Sequence, residues 1–260
     1  MYKRQYSNYT TAHIFGTTVA GGNGSGSGVN QLSNPQGIYV DVTGNMYVSD
    51  QGNHRVQKFP SNSTSTTSGV TVAGGNGAGI SANQLYNPLG IYLDSTSNLY
   101  VADQSNHRIQ KFASGSTSST NAVTVAGNGQ SGSTAAQLSN PYAVTFDGIG
   151  NMYVSDANNH RIQRFPVNST VGTNAVTIAG GNGAGAVSNQ FSSSTSAIVD
   201  SVGNIYVADY NNHRIQKWKQ SIDTTYKPSV IGTFSAKVVS YAGCVSVSYT
   251  HLTLPTNREV

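Results

Sequence analysis

One stretch, Asn45-Met-Tyr-Val-Ser-Asp-Gln-Gly-Asn-His-Arg-Val-Gln-Lys-Phe59, governs what this chain of 260 residues can fold into. It returns as Asn98 to Phe112, Asn151 to Phe165 and Asn204 to Trp218, each copy 53 residues after the last. Asp50, Asp103, Asp156 and Asp209 keep that spacing, as do His54, His107, His160 and His213 and the arginines Arg55, Arg108, Arg161 and Arg214. Upstream, Val19-Ala-Gly, Val72-Ala-Gly, Val125-Ala-Gly and Ile178-Ala-Gly follow the same period. A fixed period of this length means one supersecondary unit repeated, each copy burying its apolar surface against its neighbours.

Each unit reads as four short strands. In the first copy these are Gly37 to Asp41, Asn45 to Ser49, His54 to Phe59 and Gly69 to Ala73. The Asp41-x-x-Gly44-Asn45 segment suits a tight hairpin in which Asp bonds back to the backbone and Gly takes positive φ. Pro35, Pro88 and Pro141 precede the first strands, where a missing N–H does no harm. Tyr and Val on both strand faces fit a sheet sandwiched between neighbours. Many short, evenly spaced strands with one motif per unit predict an all-β fold, a β-propeller of four-stranded antiparallel blades. The blades fall at about 35–74, 88–127, 141–180 and 194–243, within a domain spanning 6–243.

The unit resembles the NHL repeat, the blade of a family of β-propellers. The resemblance rests on Pro35-x-Gly37, Val40-Asp41-x-x-Gly44-Asn45, Tyr47-Val-Ser-Asp50 and Asn53-His-Arg-Val56, and covers most of residues 19–218. It implies the fold more than a function. It also implies that the glycine-rich loops between blades share one face with the loops between second and third strands. Family propellers commonly have six blades, so four units imply part of a larger ring, an open arc with bare apolar end faces, and self-association of the chain.

The fourth copy departs from the pattern. Ser192-Ser-Ser-Thr-Ser196 replaces Ser-Asn-Pro-x-Gly, and the usual last strand is missing after Lys219. Ser229 to Thr233 and Ala236 to Tyr241 are the candidates for its outer strand. His13 to Ala20 reads as a lone outer strand at the other end, either left from a missing blade or closing the ring onto the last one. Residues 1–5 and 247–260 resemble translated sequencing-adapter sequence on opposite strands, and are set apart from fold reasoning as scars. The natural part is then expected to be a fragment, with further blades or domains in a full-length chain.

Without those ends, eleven basic residues face nine acidic ones, and eight of each belong to the repeated blade positions. Each blade is internally neutral. The pI near 9.1 therefore carries no basic stripe for phosphate, and no nucleic-acid partner is expected. No run of 18 apolar residues could span a membrane as a helix. Four Asn-x-Ser/Thr sequons, at Asn8, Asn23, Asn62 and Asn168, lean towards an extracellular or cell-surface setting, and the single Cys244 offers no disulfide.

The four histidines invite a metal reading, but a residue identical in every blade serves the blade. The expectation is that Asp50 pairs with Arg55, that His54 bonds within its own turn, and that neither metal nor cofactor is held. Gly21 to Gly28, Gly74 to Gly79 and Gly180 to Gly185 have G-x-G spacings but no following helix, so they read as flexible connections rather than phosphate cradles. The Ser/Thr tracts Ser61 to Ser68 and Ser114 to Thr120 read as solvated loops on the opposite face. Positions that vary between blades on the loop face are the candidate binding surface: Gln51, Gly52, Gln104, Ser105, Ala157, Asn158, Tyr210 and Asn211. The expected function is a non-catalytic binding or scaffold module for a protein or glycan. The rival classes are a metal-dependent lyase or hydrolase with its site in the central channel, and an RNA-binding propeller. Outside the template, only His13 and Asp223 are unique acid or imidazole groups of the natural segment, which gives an enzyme little to work with.

Overall fold

The computed structural model describes residues 16–219 and, as backbone, two strands at 237–241 and 244–248. Readings that involve residues 1–15, Asp223, Ser229 to Thr233 and residues 249–260 lie outside the described residues. The first unit is all-β. Its first blade orders β1 (Pro35–Val40), β2 (Met46–Asp50), β3 (Arg55–Phe59) and β4 (Val70–Gly74) side by side. The second repeats this with β5 (Pro88–Leu93), β6 (Leu99–Asp103), β7 (Arg108–Phe112) and β8 (Val123–Ala126). The third consists of β9 (Pro141–Phe146), β10 (Met152–Asp156), β11 (Arg161–Phe165) and β12 (Val176–Gly180). All neighbours within a blade are antiparallel.

The last blade has three strands, β13 (Ser194–Val199), β14 (Ile205–Asp209) and β15 (Arg214–Trp218). No fourth strand pairs with β15 among the described residues. The candidate at Ala236 to Tyr241 is occupied otherwise: β16 (Lys237–Tyr241) pairs with β17 (Cys244–Ser248) as a hairpin in a separate unit covering residues 221–260.

Turn chemistry fixes the blades locally. Asp41 Oδ1 accepts from the backbone of Thr43 and Asn45 at 2.9 Å each, and Gly44 sits at φ 84°. Ser97 takes the same left-handed place in the second blade at φ 62°, a strained position that the Asp94 side chain holds through bonds to Thr96 and Asn98.

The cores lie between blades, not within them. Alternation along each middle strand sends Leu99 and Val101 towards the preceding blade and Tyr100 and Ala102 towards the following one. Tyr47, Val56, Val72 and Ala73 of the first blade thus meet Ile91, Leu93, Leu99, Val101 and Phe112 of the second. Tyr100, Ile109 and Val125 meet Val144, Met152, Val154 and Phe165 in the same way, and Tyr153 and Ile162 meet Ala197, Ile205 and Val207. Leu85, Leu138 and Phe191, at the ends of the glycine-rich loops, plug these layers and are fully buried. Each such large apolar side chain contributes about 1.5–3 kcal/mol by burial. The inner strands approach closely because of the Pro-x-Gly glycines. A Cβ on Gly90 would stand 2.7 Å from Ala143 Cα and 2.8 Å from the Tyr142 carbonyl oxygen.

Inner strands pack in sequence, β1 on β5, β5 on β9 and β9 on β13, and β1 and β13 make no comparable contact. Burial shows the same opening. Ile38 and Val40 are 64% and 57% exposed, whereas Ile91 and Leu93 at the matching positions are 8% and 4% exposed. At the other end Ile215 is 69% exposed, whereas Ile109 and Ile162 are at 0%. Four blades therefore form an arc whose two outer faces remain uncovered, as the repeat count implies.

Candidate functional site

The loop face is built from one frame repeated four times. After β2 the chain makes a short 3-10 turn, Gln51–Asn53, and His54 reverses it in the left-handed region at φ 54°. The sequence reading missed this turn, although the same left-handed histidine recurs at His107, His160 and His213. Asp50 ends β2 with its carboxylate buried. Oδ1 accepts from the Ser33 backbone at 2.6 Å, while Oδ2 accepts from Asn53 Nδ2 at 2.8 Å and from Arg55 Nε at 2.7 Å. The same Nε–Oδ2 pair closes at 2.7 Å in Asp103–Arg108, Asp156–Arg161 and Asp209–Arg214. The remaining guanidinium N–H groups hold the glycine-rich loop. Arg55 donates to the carbonyls of Ser27, Gly28 and Gln31, and Arg108 to those of Ile80, Ser81 and Gln84.

These loops are therefore not slack connections. Each is crossed by a parallel bridge, such as Ala78 with Leu85, and pinned by asparagine: Asn76 Nδ2 donates to the carbonyls of Asn83 at 3.0 Å and Ser118 at 2.5 Å. The Ser/Thr tracts are tied to them rather than standing apart on the opposite face. The Ala122 N–H bonds the Ala82 carbonyl at 2.9 Å, and Ser116 Oγ donates to the Val72 carbonyl of the preceding blade at 2.6 Å. Low sequence complexity concealed this because the partners are backbone groups, which any small residue supplies.

The histidine expectation needs correcting. The His54 backbone N–H does bond within its turn, to Gln51 O, but the imidazole reaches the next blade. Nδ1 of His54, His107 and His160 accepts the backbone N–H of Asn87, Asn140 and Ser193 at 3.2, 3.1 and 3.1 Å. Each imidazole is thus an inter-blade latch and must be neutral to accept. Burial holds His107 below the usual imidazole range, against the opposing pull of Asp156 and Asp103. Burial likewise pushes the Asp103 and Asp156 carboxyls up, resisted by their N–H donors and arginines. At the open last blade the balance reverses. Burial still raises Asp209, but bonds from Ser192, Asn212, Arg214 and Gln216 outweigh it and leave the carboxyl below the usual range. No three of His, Cys, Asp and Glu cluster as a cation site among the described residues.

The variable positions divide by exposure. Gly52, Asn158, Tyr210 and Asn211 are exposed, with Tyr210 at 66%. Gln51, Gln104 and Ser105 are half-buried, and Ser105 Oγ accepts from Asn87 Nδ2 at 3.1 Å. Ala157 is buried and offers nothing to a partner. Away from this face, grooves of about 380 and 300 Å³ lie between the first and second and the second and third blades. Their walls carry Asp41, Tyr47 and Lys58, or Asp94, Tyr100 and Lys111, with each lysine 5.3–5.4 Å from its tyrosine ring centre. The 53-residue recurrence of this trio was the available signal, and it was read only as strand and turn filling.

Comparison with known proteins agrees with this geometry. The family model described as "NHL repeat" matches residues 32–59, 85–112 and 197–218. The chain is 28% identical over 145 residues to an NHL repeat-containing protein 3 from Mus musculus, covering 52% of this chain and 40% of that relative. Among solved structures, it resembles an auxiliary nutrient binding protein from Bacteroides thetaiotaomicron, with TM-score 0.53, 16% identity and coverage of 73% of this chain and 48% of the other. It also resembles a chain of a nidogen/laminin complex, with TM-score 0.51, 20% identity and coverage of 72% and 59%. The chain thus spans less than half of the curated relative's length, and the two structures show a shared fold alone. From Leu32 to Trp218 the residues that recur are those that build a blade and clasp its neighbour, and the chain carries NHL repeats folded as a four-bladed β-propeller arc.

Proposed function

We propose that this chain is a non-catalytic binding module that recognises a protein or glycan partner through the loop face. The observation that carries the reading is a division of labour. The invariant Asp, Asn, His and Arg of each turn are spent on holding loops and neighbouring blades, while Gly52, Asn158, Tyr210 and Asn211 stand exposed above them. A rigid frame with variable tips is a recognition surface. Tyr210 is the natural anchor, since an aromatic ring offers large contact area at low entropic cost. The similarity to a nutrient binding protein and to a chain of a nidogen/laminin complex supports binding over catalysis. So does the fate of the carboxylates. The eight between residues 16 and 219 form the Asp41 and Asp50 sets, and each accepts several hydrogen bonds from its own turn.

The test is a glycan array and a displayed library of extracellular protein domains, probed with the full chain and with Tyr210→Ala combined with Asn158→Ala. Binding lost in the double variant, with melting temperature kept, is the expected result. Binding that survives it, and is lost instead on changing Lys58 or Lys111 in the grooves, overturns the assignment to the loop face.

A further inference from the structure

We propose that the open end of the last blade receives the start of a second copy of this chain, which donates residues 17–21 as the missing fourth strand. The argument begins with sequence. Gly16-Thr-Thr-Val-Ala-Gly21 differs at one position from Gly69-Val-Thr-Val-Ala-Gly74, whose last five residues are the outer strand β4. The segment 16–21 pairs with no strand in its own molecule, although Ala20 packs with Leu32 on Met46, Val48 and Phe59. The last blade has the converse defect. It ends at β15, and no outer strand covers that edge among the described residues.

The internal repeats show how the two defects would meet. In the first blade Arg55, Val56, Gln57 and Lys58 lie opposite Gly74, Ala73, Thr71 and Val70. Moved by the repeat period, that register sets Arg214, Ile215, Gln216 and Lys217 opposite Gly21, Ala20, Thr18 and Thr17 of the incoming copy. The side chains agree. Thr71, Thr124 and Thr177 donate to the Oε1 of Gln57, Gln110 and Gln163 at 3.1, 2.7 and 2.8 Å. Thr18 is the matching threonine and Gln216 the matching glutamine. Lacking that donor, Gln216 turns its amide instead to the Gln190 carbonyl at 3.1 Å.

Two more features fit. His213 is the one latch histidine of the four whose imidazole has no partner among the described residues. Asn34, held at φ 48° like Asn87 at 54°, has a backbone N–H with no acceptor among them. Placed head to tail, the Asn34 N–H of one copy faces His213 Nδ1 of the other, as Asn87 faces His54. Exposed Ile38 and Val40 then cover exposed Ile198 and Ile215, as the second blade covers the first. The contact is heterologous, and two copies joined at both ends would close an eight-bladed ring, within the range of about 4–8 blades that propellers adopt.

Sedimentation of the full chain tests this, together with Thr18→Cys and Gln216→Cys variants in a Cys244→Ser background. Facing residues of an antiparallel pair are about 4.5–5.5 Å apart at Cα, which suits a disulfide. The expected results are concentration-dependent association and a dimer-sized disulfide product when the two single-cysteine variants are mixed and oxidised. Ile215→Asp should return the chain to monomer without lowering its melting temperature, because that side chain is exposed in the single copy. A monomer at about 100 μM, two orders above a micromolar Kd, overturns the proposal. So does a double-cysteine variant that closes only within its own chain, or association that survives Ile215→Asp. A longer natural chain that supplies its own further blades and stays monomeric overturns it equally.

Discussion

Replacing Asp103 by Ala tests the frame that holds the loop face. The carboxylate is fully buried and accepts from the Tyr86 backbone at 2.7 Å, Asn106 Nδ2 at 2.9 Å and Arg108 Nε at 2.7 Å. Its removal strands a guanidinium whose side chain is only 10% exposed, while the carbonyls of Ile80, Ser81 and Gln84 keep it from turning to water. Breaking a buried pair from one side costs about 3–5 kcal/mol. For a domain of this size that is a fall in melting temperature of about 6–20 °C. The same change at Asp209 provides the internal control. The pair distance is identical, but the Arg214 side chain is 30% exposed and water can solvate it, so Asp209→Ala should cost about 1–2 kcal/mol. Thermal and urea unfolding by circular dichroism measure both. Equal losses at the two sites would refute the claim that burial, rather than the ion pair itself, sets the penalty. An unchanged melting temperature for Asp103→Ala would remove the frame altogether.

Gly90→Ala should destabilise by about 1–3 kcal/mol as an overpacking change, because the new Cβ meets the backbone of Tyr142 and Ala143, which cannot move aside as a side-chain tip would. Urea titration measures it, and a neutral result would show that the inner strands can separate freely. Acid titration should follow the turn carboxylates. Burial raises Asp41 slightly, but bonds from Asn45 and Thr43 prevail and lower it from 3.8 to about 2. A depressed carboxylate contributes stability above its unfolded pKa and loses it as pH falls through the folded one, so Asp41 acts between about pH 4 and 2. The raised Asp103 and Asp156 act with the opposite sign, since burial favours their protonated form in the fold. His107, depressed by burial, removes stability as pH drops below 6.5. Melting temperatures of Asp41→Asn and of the parent chain should therefore converge towards pH 2, and parallel curves would contradict the assignment.

The sequence alone determined the blade. Strand order, the Asp41 hairpin and the Asp50–Arg55 pair are local, and a period of 53 residues states them four times, so four copies correct one another. The arc was legible for the same reason, because identical units need identical neighbours and the two end blades have none. What lay beyond the sequence is what crosses between blades. Nothing in Asn-His-Arg says that His54 accepts from Asn87 across 33 residues rather than from its own turn, because the left-handed φ at His54 aims the ring outward only once the strands are paired. The loop Gly74 to Asn87 looks slack in one dimension and is held in three, since Arg108 and Asn76 grip backbone carbonyls that carry no sequence signature. Burial of Ala157 and exposure of Tyr210, two residues at the same repeat position, were decided only by the presence or absence of a next blade. A side chain's covering is a property of its neighbours in space, and at the ends of an arc the same position has different neighbours.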